Sequence, residues 1–222
     1  MIKIIPAILT SDLERFKFLA KKYQPASVLH IDIINSFKNS LDTITVESVL
    51  ETDEIRPFTE ICFHFMSDEF NVESFNQIVK YAKQNHNVDF CIALDQVMIS
   101  SLPFSIKELS NIFTIPVIYN DEILSAEFYE NYNDVIIMTV TAGKQGGEFK
   151  TENLKRVERL RENGFSGNII LDGGINISTI QQAIKSDIDG VVVGSYFANE
   201  KSFEELYENL EEIISISKSD FS

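Results

Sequence analysis

The stretch LHIDIIN, Leu29 to Asn35, sets a histidine and an aspartate two residues apart inside an apolar run. Such a run suits a buried strand, and strand side chains alternate between faces, so His30 and Asp32 share one side. Placing two ionisable groups together in an interior costs on the order of a few kcal/mol unless something compensates them. The fold must therefore bring a partner to that side.

Seven more β-branched runs accompany this one: IKIIPAIL, EICFHFM, VDFCIAL, TIPVIYN, DVIIMTV, GNIILDG and IDGVVVG. Between them lie segments with apolar residues at helical spacing. SDLERFKFLAKKY opens with Thr10 or Ser11 as cap and sets Leu13, Phe16, Phe18, Leu19 and Tyr23 largely along one side. ENLKRVERLRENG stops on Gly164, and STIQQAIKSD and SFEELYENLEEIISI supply the last two helices. Strands that are apolar nearly throughout fit a parallel sheet covered on both faces. Eight strand–helix units without a Pro- or Ser-rich linker predict one α/β domain over residues 1–222, a (β/α)8 barrel. A doubly wound open sheet would want Gly-x-Gly-x-x-Gly after its first strand, and AILTSD is no such turn.

The totals agree. The chain has 222 residues, 44% of them hydrophobic, enough for a large core. A formal net charge of -15 argues against long-range attraction to nucleic acid or anionic membranes, and an anionic substrate would need a local pocket of donors. Cys62 and Cys91 sit in apolar runs and read as reduced core thiols. MIKIIPAILTSD lacks the pattern of a secretory leader, and no segment approaches the roughly 20 apolar residues of a membrane span, so a soluble cytoplasmic protein is expected.

A barrel of this kind collects its active site at the carboxyl ends of its strands. His30 and Asp32 fall toward the end of the second strand, His64 ends the third in CFHFM, and Asp172 ends the seventh in IILDGG. His86 reads as a solvated loop residue. Two imidazoles and two carboxylates on one mouth would hold a single divalent ion, and the mixed donors suit zinc, iron, manganese or cobalt better than calcium or magnesium. Each residue also has a plainer reading: His30 as a core imidazole bonded to a carbonyl, Asp172 as the start of an Asp-Gly turn. Glycine clusters follow strands six to eight in AGKQGGEF, DGGIN and VGSYF. Gly146, Gly147, Gly173, Gly174, Gly194 and Ser195 are the expected phosphate contacts, through backbone amides that need no positive net charge. Lys144 could add to them. Glycines required merely for turning are the alternative.

Taken in order, IIPAILTSD, LHIDIIN, FHFM, IIMTVTAGKQGG, ILDGGIN and VVVGSYF resemble the ribulose-phosphate 3-epimerase family over nearly the whole chain. The resemblance implies that His30, Asp32, His64 and Asp172 bind one metal ion and that Asp32 and Asp172 are the acid–base pair. His64 would also meet the substrate, and Met66 and Met138 would shield the site. It further implies D-ribulose 5-phosphate to D-xylulose 5-phosphate interconversion, a place in the pentose phosphate pathway, and a homo-oligomer. Four features depart from the family: Ala7 where a serine is usual; Ile34, Asn35 and Ser36 after His-x-Asp; an unfamiliar segment through residue 46; and Lys144 and Gln145 in the loop over 141–148. These changes touch recognition of the sugar more than the reacting centre. A hexulose-phosphate 3-epimerase of the allulose 6-phosphate type is therefore an alternative, as is a catalytically silent phosphate-binding regulatory barrel. A decarboxylase or aldol-type synthase on the same barrel would carry Asp-x-Lys-x-x-Asp, and DIINSF has no lysine there.

Overall fold

The structure is a computed structural model that describes residues 2–35, 42–67, 71–100, 102, 110–119, 126–129, 131–141, 146–199 and 201–219. Eight parallel strands close into a barrel in sequence order. They are β1 (Lys3–Ile8), β2 (Val28–Asn35), β3 (Glu60–Ser67), β4 (Asp89–Asp95), β5 (Ile112–Ile118), β6 (Asp134–Met138), β7 (Asn168–Asp172) and β8 (Gly190–Val193). The described helices between them are α1 (Leu13–Tyr23), α2 (Val46–Leu50), α3 (Val72–Ala82), α4 (Gln96–Ser100), α5 (Ala126–Tyr129), α6 (Lys155–Glu162), α7 (Ile180–Ala183) and α8 (Phe203–Ser219). Every one of the eight apolar runs became a strand. No helix among the described residues is long and apolar enough to cross a membrane.

The residues fall into two compact units, Ala7–Ile115 and Met1–Pro6 with Pro116–Ser222. In the first, β2 and β3 pair from Val28↔Glu60 to Asn35↔Ser67, and β3 continues onto β4 from Glu60↔Asp89 to His64↔Ala93. Leu29, Ile31 and Phe63 point away from the histidines' side and are fully buried, as strand alternation requires. The cap of α1 is Asp12, which accepts the Arg15 amide at 3.0 Å, rather than Thr10 or Ser11; Thr10 Oγ1 instead accepts the Asp12 amide at 3.1 Å. Phe16, Leu19, Ala20 and Tyr23 are buried along α1, but Phe18 is 57% exposed. At about 100° per residue, Phe18 lies some 200° round from Phe16, so the two cannot share a face.

In the second unit, β6 and β7 pair from Asp134↔Asn168 to Met138↔Asp172, β7 meets β8, and β8 meets β1 from Lys3↔Gly190 to Pro6↔Val193. Helix α6 buries Arg156, Val157 and Leu160 and is capped at Asn163, just before Gly164, the predicted stop. Phe197, Phe203 and Tyr207 form a ring cluster against α8, with the two phenylalanine centroids 5.0 Å apart.

Two placements correct the sequence reading. His30 is the third residue of an eight-residue β2, and three residues of β3 follow His64. The histidines lie within their strands, not at the ends, while Asp172 does close β7.

Candidate metal centre

Register builds the first part of the site. Asp32 sits directly across from His64 and His30 across from Cys62, so alternation sends His30, Asp32 and His64 to one face. His30 Nε2 lies 3.3 Å from Asp32 Oδ1, His64 Nδ1 lies 3.1 Å from the same oxygen, and the two nitrogens are 3.4 Å apart. The rings meet edge to face, with centroids 5.3 Å apart. Both imidazoles are essentially inaccessible, at 1% and 0%, and the Asp32 side chain is 13% exposed.

Those three distances test whether a metal fits. Nitrogen and oxygen ligands about 2.0–2.1 Å from a tetrahedral ion stand about 3.3–3.4 Å from one another. The triangle has edges of 3.1, 3.3 and 3.4 Å, the size of one face of such a coordination shell. Two imidazole nitrogens and carboxylate oxygen suit a first-row transition metal or zinc. The residues fit the ion.

Burial alone would push the Asp32 carboxyl up. Hydrogen bonds from His30 and His64, with the positive charge those rings carry when protonated, outweigh it and hold the group well below its ordinary value. Asp32 therefore stays an anion, the form a cation binds.

Asp172, 7% exposed, closes β7 on a backbone gripped from β6. The Thr139 amide donates to Asp172 O at 2.7 Å, while Thr139 Oγ1 lies 3.0 Å from that oxygen and 2.5 Å from Gly173 O. Gly173 and Gly174 follow at φ +113° and +71°, where side chains are strained. A Cβ on Gly173 would collide with Val140, and one on Gly174 would stand 2.8 Å from the Phe149 amide nitrogen. Thr179 and Asn176 then hold Gly174 O, at 2.8 and 3.1 Å.

One ligand atom from each of His30, Asp32, His64 and Asp172 can be chosen so that all lie within 4.8 Å of one another, a cluster that can hold a metal ion. The expected phosphate contacts Gly146, Gly147, Gly173, Gly174, Gly194 and Ser195 all follow the ends of β6, β7 or β8. Gly147 has a packing reason as well, since a Cβ there would stand 3.0 Å from Val140 Cβ. Met66 and Met138 are buried at 3% and 4%. Ala7 is buried and pairs with His30, so the hydroxyl usual in the family is missing beside a candidate ligand. His86 is exposed, as read. Ser36, Lys144 and Gln145 lie outside the described residues.

Residues 3–198 match the profile of the ribulose-phosphate 3 epimerase family. The chain belongs to that family. Over 83 residues it is 34% identical to a ribulose-phosphate 3-epimerase of Schizosaccharomyces pombe, covering 37% of this chain and 36% of the relative. Over 82 residues it is 33% identical to a ribulose-phosphate 3-epimerase of Methanocaldococcus jannaschii, covering 35% of each. The matched segments thus span about a third of these curated relatives. Among solved structures, 3-hexulose-6-phosphate synthase from Salmonella typhimurium superposes with a TM-score of 0.62 over 97% of this chain and 100% of that one. At 14% identity that likeness speaks for the barrel alone. All four candidate ligand residues fall inside the stretch matched by the epimerase family.

At the end of β6, three buried polar residues were missed by sequence reasoning: Thr139, Asn153 and Arg156, buried at 0%, 7% and 7%. Thr139 left a trace, a hydroxyl closing the run VIIMT. Asn153 and Arg156 left none, because their common target is a backbone carbonyl: Asn153 Nδ2 and Arg156 Nη1 reach Met138 O at 3.0 and 3.2 Å.

Proposed function

We propose that the chain is a metal-dependent epimerase that inverts carbon 3 of a ketose phosphate, interconverting D-ribulose 5-phosphate and D-xylulose 5-phosphate within one barrel domain. The observation that carries this reading is the triangle of His30, Asp32 and His64 donor atoms, sized for a divalent cation. Family membership supplies the reaction class. His30, Asp32, His64 and Asp172 hold the ion, which is zinc, iron, manganese or cobalt.

When bound, the cation supplies Lewis acidity to the substrate's oxygens. Asp32, kept ionised by its two histidines, takes the proton from carbon 3 and leaves an enediolate. Asp172 returns a proton to the other face, and so the configuration inverts. Positioned groups of this kind contribute roughly 10²–10⁴-fold. Met66 and Met138 keep water from the exposed carbanionic face. The amides of Gly146, Gly147, Gly173, Gly174, Gly194 and Ser195 receive the phosphate without recourse to a basic surface.

One observation favours a second reading. Ala7 puts a methyl group where the family usually has a hydroxyl, directly beside His30, and a hexulose phosphate of the allulose 6-phosphate type would meet different recognition there. Turnover of the metal-loaded protein on matched pentulose and hexulose phosphates decides between the two. Faster epimerisation of ribulose 5-phosphate upholds the first reading. Preference for the hexulose moves the assignment to the second, and no epimerisation of any ketose phosphate overturns both.

A further inference from the structure

We propose that Thr139 is a positioning residue for the Asp172 carboxylate, acting through the backbone of the Asp172–Gly173 turn. The inference rests on the proposed role of Asp172 in proton transfer and adds a residue to it. Thr139 follows the last residue of β6 and is fully buried. Its amide already serves Asp172 O at 2.7 Å, so strand pairing does not require the hydroxyl. The nearer partner of Oγ1 is Gly173 O, at 2.5 Å, against 3.0 Å for Asp172 O. That carbonyl lies beyond the end of β7, in the peptide that sets how the chain leaves Asp172.

The neighbours of Thr139 make the grip stiff. Met138 O is held by Asn153 and Arg156, both buried, at 3.0 and 3.2 Å. The Thr139 carbonyl accepts the Lys150 amide at 2.7 Å. Val140 occupies the space where a Gly173 side chain would stand. Three consecutive residues thus act on one turn: Met138 is anchored, Thr139 clamps, and Val140 blocks. A carboxylate that has to be both ligand and proton donor needs this constraint, because a displacement of about 1 Å can cost about a hundredfold in rate. Losing the hydroxyl frees the Gly173 peptide and leaves its carbonyl short of a donor.

The test compares the full-length, metal-loaded wild type with T139V, T139S and D172N, measuring kcat and KM separately, melting temperature, and cobalt(II) affinity by visible absorption. T139V is expected to lose roughly ten- to a hundredfold in kcat with KM little changed, and to bind cobalt roughly tenfold more weakly. T139S, which keeps the hydroxyl, is expected to recover most of both, and D172N to be inactive. Wild-type kcat and cobalt affinity in T139V beside an inactive D172N would overturn the clamp and leave the proposed function standing. Equal impairment of T139S and T139V would also overturn it, since keeping the hydroxyl would then protect nothing. An active D172N would overturn the role of Asp172 itself and the clamp with it. Should T139V fail to fold, T139A makes the same comparison.

Discussion

At the amino ends of β7 and β8 the chain brings its own cation. Arg161, its side chain 20% exposed, donates to Phe165 O and Gly167 O at 3.0 and 2.6 Å, to Asp187 O, and to Asp189 Oδ2 at 2.8 Å. Asp189 Oδ2 also accepts the Ile169 amide at 3.0 Å. Carboxylate and guanidinium neutralise each other, and the loops entering both strands are fixed. On β2 and β3 the arrangement differs. Asp32 faces two imidazoles, which can compensate its charge only by taking up protons or by sharing a metal ion with it. The first region is complete as folded and serves stability. The second, under the proposed function, is completed by the ion it binds and serves chemistry.

Removing the metal should separate the regions most sharply. Treatment with a chelator is expected to take epimerase turnover to background while circular dichroism still reports a folded barrel, with activity returning on addition of zinc, iron, manganese or cobalt. Asp172→Asn should take turnover to background with the melting temperature little changed; retained epimerisation would remove Asp172 from the mechanism. Arg161→Met should do the reverse. Losing its charge-assisted bonds is expected to cost about 2–3 kcal/mol and to lower Tm by roughly 5–10 °C, with kcat/KM unchanged. A catalytic defect in a normally stable Arg161→Met protein would break the division of labour.

The smallest expected effect is on acid stability of the metal-free protein. The Asp32 carboxyl is held below its ordinary value in the folded chain. Its contribution is therefore full above the unfolded carboxylate value of about 4 and fades as pH falls further, toward the folded value. Stability should drop less steeply in that range for Asp32→Asn than for wild type, as read by urea midpoints at successive pH values.

The barrel was legible because apolar strands and periodic helices repeat eight times without interruption, and a closed parallel sheet is the fold that buries all of them. His30, Asp32 and His64 were legible because a period of two puts polar residues in an apolar run onto one face. Their depth in the strands was not, since strand limits depend on where neighbouring carbonyls find partners. The α1 cap was misplaced for a similar reason: Thr10, Ser11 and Asp12 all offer an oxygen, and only the backbone path selects Asp12. Phe18 was assigned to the buried side although helical periodicity already turns it outward. The Arg161 staple and the hold on Met138 O were invisible because most of their acceptors are carbonyls, and every residue carries one. Gly147 and Gly173 were read for phosphate, with turning as the alternative, yet packing against Val140 also dictates them.

One claim carries the rest: four side chains gather a single divalent ion around which a carbon-bound proton is exchanged. Incorporation of solvent deuterium at carbon 3 of D-ribulose 5-phosphate, followed by NMR in heavy water with the metal-loaded protein, tests it most directly. Rapid incorporation by the wild type, and none above background once a chelator has removed the metal, is the predicted result. Failure of the metal-loaded wild type to exchange that proton in any pentulose or hexulose phosphate would contradict it.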